Sequence, residues 1–114
     1  MFSKYFTSFL YRTQVINKKA KIGQNCNIAH SVTIGQANQG KLKGYPTIGN
    51  MVWIGTGSVI VGNIKIGSNV LIVPNSFVSM DVPENSLVIG NPAKIIAKEN
   101  PTESYIEFIL DYNK

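Results

Sequence analysis

The sequence predicts an all-β protein wound as a parallel β-helix, and three features of its spacing predict it. Aliphatic residues stand every sixth position at Ile48, Ile54, Ile60, Ile66, Ile72 and Val78. Four positions after each comes a second buriable residue: Val52, Ser58, Ile64, Val70, Ser76 and Val82. The same frame runs upstream through Ile16, Ile22, Ile28 and Ile34, with Ala20, Cys26 and Val32 in the second slot. Helices repeat at about 3.6 residues and strands at about 2, so a period of six fits neither. It fits coils of short strands and tight turns, stacked so that like residues form inner ladders.

Taken in order, residues 1–12 place Phe2, Tyr5, Phe6, Phe9 and Leu10 at helical spacing, which predicts a short amphipathic helix capping the open end of the stack. The prism itself is expected over 13–97. Its frame breaks once, because the step from Ile34 to Ile48 is not a multiple of six. The polar interval QANQGKLKGYPT predicts a loop over 36–47, the kind of protrusion where function concentrates on a rigid scaffold. Its lysines and Tyr45 are candidate ligand contacts. Trp53 falls on an outward slot and marks a contact surface. In DVPENSLVIGNPAKII, Pro83 and Pro92 are expected to end strand pairing, with Gly90 allowing a sharp bend. Asn100-Pro101-Thr102-Glu103 has the signature of a helix start, so 98–114 is expected to close the chain as a helix.

Composition limits the function classes. The chain of 114 residues is 44% hydrophobic and 15% charged, with net charge +5, which describes one folded domain. The lysines and arginines are scattered, with denser runs at Lys18-Lys19-Lys21 and Lys41-Lys43, and nothing beyond net charge suggests a nucleic-acid partner. A single cysteine makes no intramolecular disulfide, and Cys26 occupies an inward slot as filler. No apolar run reaches the ~18–20 residues that span a bilayer. The N-terminal residues show no cleavable signal, so a cytoplasmic setting is expected. One histidine, one cysteine and scattered carboxylates assemble no metal site. Phosphate-loop and nucleophile-elbow motifs are absent from the sequence. His30, the lone histidine, sits on an outward slot near a turn.

The run VTIGQ…GYPTIGNMVWIGTGSVIVGNIKIGSNVLIVPNSFVSMDVPENSLVIGNPAKII resembles the C-terminal half of bacterial serine acetyltransferases and related hexapeptide-repeat acyltransferases, including those acting on surface sugars. The resemblance covers Val15 to Ile96. It implies a left-handed β-helix, a homotrimer, and acetyl-CoA as donor in the groove between neighbouring prisms. It also implies cofactor contacts: main-chain groups of Ser58 and Ser76 along the pantetheine arm, Gly57 keeping that wall low, Gly35 and Gln36 bordering the thioester, and Lys94, with Lys98 as a second candidate, near the nucleotide phosphates. No metal is implied.

The catalytic pattern departs from the family. One family histidine, about a coil upstream of VTIG, is matched by Leu10 or its neighbours; another, in an Arg-His-Pro triplet, is matched by Gly44-Tyr45-Pro46. Three readings follow. His30 serves as a relocated general base, with Tyr45 and the loop lysines placing an acceptor hydroxyl of serine, a sugar or another small molecule. Alternatively the trimer binds CoA, or serves as scaffold, without chemistry. In the third reading a coil carrying the histidine precedes Met1.

Overall fold

In the computed structural model residues 7–8 and 14–104 are described. Short strands succeed one another as β1 (Thr7–Ser8), β2 (Val15–Ile16), β3 (Lys21–Ile22), β4 (Asn27–Ile28), β5 (Thr33–Gly35), β6 (Thr47–Ile48) and β7 (Val52–Ile54). There follow β8 (Val59–Val61), β9 (Lys65–Ile66), β10 (Val70–Ile72), β11 (Phe77–Val78), β12 (Ser86–Gly90) and β13 (Ala93–Ala97). They stack into three sheets, each one side of a prism. One side has the order β1-β4-β7-β10-β12-β13, the second β11-β8-β5-β2, and the third β3-β6-β9. All pairings are parallel except β12 with β13. The parallel β-helix expected from the period of six is therefore the fold found.

The period works because one repeat makes one side, and three sides close one coil. Trp53 pairs with Leu71, Val59 with Phe77 and Thr47 with Lys65, each three repeats further along the chain. Every leading residue from Ile22 to Val78 is buried, and so is every second-slot residue from Ala20 to Val82. Burying each isoleucine contributes roughly 1.5–3 kcal/mol. The turns between sides demand left-handed backbone. At one corner Asn25, Met51, Asn69 and Asn85 have φ of 55–58°, and at the next Ser31, Gly57 and Asn75 take φ of 59°, 76° and 62°. Asparagine recurs there because it tolerates that conformation better than most side chains.

The loop is an insertion in this regular stack. Thr33 pairs with Val59 across a longer stretch of chain than the one joining Val59 to Phe77, and the surplus forms the loop. It does not hang free. Ala37 and Gly44 bridge in antiparallel fashion, and the Asn63 amide donates to the Leu42 carbonyl at 2.8 Å. Gly62, at φ +97°, makes this seat possible, since a Cβ there would lie 3.0 Å from the Leu42 carbonyl oxygen.

Three expectations need correction or restriction. Thr7 and Ser8, inside the expected cap helix, are a strand that adds a rung below β4; residues 1–6 and 9–13 lie outside the described residues. Pro83 does not end strand pairing. Val82 still bridges Ile66, and β12 pairs with β10 through a buried Val88. Pro83 falls on a corner, where its missing N–H interrupts no rung. Pro92 does end the parallel stack, in the turn that folds β13 back on β12. Of the expected C-terminal helix, Pro101 to Ser104 form a turn after Asn100 at φ 49°, and residues 105–114 lie outside the described residues.

Candidate active site

The sequence-predicted residues gather on two different corners. At the corner between the six-stranded and four-stranded sides, successive coils place His30, then Thr56-Gly57-Ser58, then Pro74-Asn75-Ser76, and finally the Gly90 turn leading to Lys94 on β13. The stacking is carried by main-chain bonds. The Gly57 amide donates to the His30 carbonyl at 3.3 Å, and the Asn75 amide to the Thr56 carbonyl at 2.9 Å. The Gly90 amide donates to Ser76 Oγ at 3.2 Å. Four strand steps, from β4 to β13, at the usual spacing make this line about 19 Å long. His30 and Lys94 are exposed at its two ends, so an imidazole and an ammonium bracket a low wall.

Gly57 keeps that wall low. Its φ of +76° suits glycine, and a Cβ there would stand 2.3 Å from Asn75 Oδ1. Ser58 and Ser76 stack as their spacing requires, but they face inward. Both are buried. Ser58 Oγ donates to the Val73 carbonyl at 3.1 Å and accepts from the Ser76 amide at 3.3 Å. Ser76 Oγ also donates to the Val73 carbonyl, at 2.6 Å. The Ser58 amide bonds the Gly55 carbonyl. Their amides are thus engaged inside the prism, and what they can offer a ligand is a second lone pair on each carbonyl.

The other candidates lie across the four-stranded side, at the corner where the loop leaves. Gly35 ends β5, its carbonyl accepting from the Gly62 amide at 3.2 Å; Gln36 follows it into solvent. Tyr45, half-buried, precedes β6, with Lys19 Nζ 5.5 Å from its ring centroid. From His30 to Gly35 the chain runs the whole width of that side, about 16 Å in extended conformation. One chain therefore does not bring His30 together with Tyr45 and Gly35.

Cys26 is filler, as its slot implies. Its thiol donates to the Gly49 carbonyl at 3.1 Å, and burial pushes its pKa from 9.0 up to about 11. Among the described residues no group of histidine, cysteine or carboxylate side chains is arranged to hold a metal, and no helix is long and apolar enough to cross a membrane. A cavity of about 370 Å³ opens at the third corner, lined by Met51, Asn69, Asn100, Thr102 and Glu103; none of the expected residues lines it.

Hexapeptide coils carrying an exposed imidazole and a stepped low wall define the chain as a hexapeptide-repeat protein. The family model described as bacterial transferase hexapeptide (six repeats) matches residues 45–79. It is 45% identical over 85 residues to the serine acetyltransferase of Staphylococcus epidermidis, an alignment covering 75% of this chain and 40% of the relative. The crystal structure of Neisseria gonorrhoeae serine acetyltransferase superposes with a TM-score of 0.69 at 43% identity, covering 76% of this chain and 34% of that one. The Brucella abortus enzyme in complex with coenzyme A does so with a TM-score of 0.69 at 36% identity, covering 75% and 34%. The chain spans between 23% and 50% of the length of the curated relatives it matches, and the matched part is their β-helix.

Proposed function

We propose that the protein is an acetyl-CoA-dependent O-acetyltransferase of the serine acetyltransferase type, working as a homotrimer in the cytoplasm with its sites between subunits. The observation that carries this reading is the division of the candidate residues between two corners of one prism. Each corner holds half a site, and a groove between two copies unites the His30 corner of one with the loop corner of the next. A relative of known structure binds coenzyme A.

In that groove the pantetheine arm lies along the stepped wall of Gly57, Ser58 and Ser76. Lys94 meets the nucleotide phosphates through charge-assisted bonds. His30 takes the proton of the acceptor hydroxyl as its oxygen attacks the thioester carbonyl. The C–S bond then breaks, and the same imidazolium returns the proton to the departing sulfur. Main-chain N–H groups where the loop leaves, near Gly35 and Gln36 of the neighbouring copy, stabilise the oxyanion. Tyr45 helps place the acceptor, a small hydroxyl compound such as serine or a sugar. His30 suits the role by position. It is exposed at the corner that follows β4, beside the Gly57 turn, from whose amide its carbonyl accepts a hydrogen bond.

Free thiol released from acetyl-CoA with serine, hexoses and amino sugars as acceptors tests the reading. His30→Ala should lower turnover about 10²–10⁴-fold, the contribution of one general base; unchanged turnover rejects the assignment. A second reading has its own support, since Leu10 or its neighbours, and Tyr45, stand where the family has histidines. In it the trimer binds CoA without chemistry. Calorimetric binding of CoA without thiol release in any mixture would establish that alternative.

A further inference from the structure

Six of the eleven basic residues of the chain collect on one part of the surface. On the three-stranded side Lys21, Thr47 and Lys65 form an outward row, paired in register through β3, β6 and β9. The insertion brings more charge to the same edge. Because Lys21 pairs with Thr47, Tyr45 stands one coil beyond Lys19, which explains the contact between that ammonium and the ring. Lys18 sits beside Lys19. Lys41 and Lys43 flank Leu42, the residue whose carbonyl seats the loop on Asn63. All six ammonium side chains are exposed. The acidic residue in this row, Asp81, accepts the Lys65 main-chain amide at 2.9 Å.

This arrangement has two properties that a merely solvated surface lacks. It is multivalent, reaching over three coils, or about 10 Å between the outer rungs at the usual strand spacing. Its anchor points are also held in shape, because the seated loop and the rigid coils fix where each lysine leaves the backbone before any ligand arrives. One carboxylate, as on a single amino acid, would occupy a fraction of it. A chain of anionic groups would engage several lysines together and gain from their number.

We propose that this lysine strip binds a polyanionic glycan, a sugar chain bearing carboxylates or phosphates, and so delivers its hydroxyls to the loop corner as acceptors. The proposal rests on the acetyltransferase reading for the delivery but not for the binding. It extends the lysines' task from general charge to substrate choice. A glycan is favoured over a nucleic acid because the strip offers one aromatic, Tyr45, which is half-buried and already covered by Lys19, and so gives bases no stacking platform.

Equilibrium binding to polygalacturonate, to a phosphorylated mannan, to neutral dextran and to single-stranded polynucleotide tests it, each over a range of salt. The expected result is binding to one or both anionic chains and not to dextran, weakening steeply as salt screens the contacts. Which of the two anionic chains binds tells carboxylate from phosphate. The variant Lys19→Gln/Lys41→Gln/Lys43→Gln should lower affinity at least tenfold at low salt while leaving the thermal midpoint unchanged. Three results would overturn the proposal: equal binding of dextran, tighter binding of polynucleotide, or indifference to the triple substitution. Displacement of the glycan by millimolar CoA would also overturn it, by giving the strip to the nucleotide. Glycan binding without thiol release from acetyl-CoA would leave this inference standing and reject the enzymatic one.

Discussion

The three-stranded and four-stranded sides of the prism share one interior and have opposite exteriors. Behind the first lie Ile22, Ile48 and Ile66; behind the second, Ile34, Ile60 and Val78, all buried. Outward, the first presents Lys21, Thr47 and Lys65 in register. The second presents Val15, Thr33, Val59 and Phe77 in the same fashion, with Val15 63% and Phe77 37% exposed. An apolar row left bare beside a charged one shows that the repeat constrains the inside of the coil and leaves the outside to function. We read the apolar side as the surface that packs against another subunit and the lysine side as the one kept for ligand.

The comparison breaks most decisively in the interior. Ile60→Ala and Ile66→Ala should each cost about 2–5 kcal/mol in denaturant unfolding, since both leave a cavity the stacked coils cannot close. A large cost on one side alone would mean that the interior is not shared. Next come the exteriors. Phe77→Asp should turn the proposed trimer into monomers in sedimentation velocity, at a cost of about 3 kcal/mol for an unpaired charge buried in an interface, whereas Lys65→Asp leaves the mass unchanged. If Phe77→Asp stays trimeric, the apolar row is not the interface.

A smaller effect sharpens the contrast between coil and loop. Gly62→Ala should cost about 1–3 kcal/mol, because it forces an alanine to φ +97° against the Leu42 carbonyl. Limited proteolysis should then cut within residues 38–43 sooner than in the parent chain. The smallest effect concerns Cys26. Below pH 9.0 its thiol is protonated in both states; between there and about pH 11 the unfolded chain loses the proton and the native chain keeps it. Unfolding then releases a proton, so stability falls as pH rises across that window, by at most roughly 1.4 kcal/mol per pH unit. The difference between the parent and Cys26→Ala stability curves isolates this slope, and parallel curves would contradict it.

Much of this was legible from spacing. Ile48 through Val78 announce the coil because a buried ladder tolerates no slip, and the irregular gap between Ile34 and Ile48 announces the insertion. The family motifs singled out Gly57, which has φ +76° at a corner with no room for a Cβ. What was not legible was the end of the stack. Pro83 looks like a stop in one dimension and is harmless at a corner, and Thr7-Ser8 lie within a helical apolar pattern yet pair with β4. Nor did spacing show that Ser58 and Ser76 spend their amides on their own prism.

The sequence by itself determined the coil, its period and the position of its one interruption, because inward packing depends on the order of side chains along the chain and on little else. Only the tertiary structure decided which outward residues meet. Lys19 reaches Tyr45, and Lys18, Lys21 and Lys65 join the loop lysines, through coil-to-coil pairings that no local pattern displays. It likewise set His30 and Gly35 at opposite edges of one side. The physical reason is the same in each case: stacking turns distance along the chain into adjacency across coils.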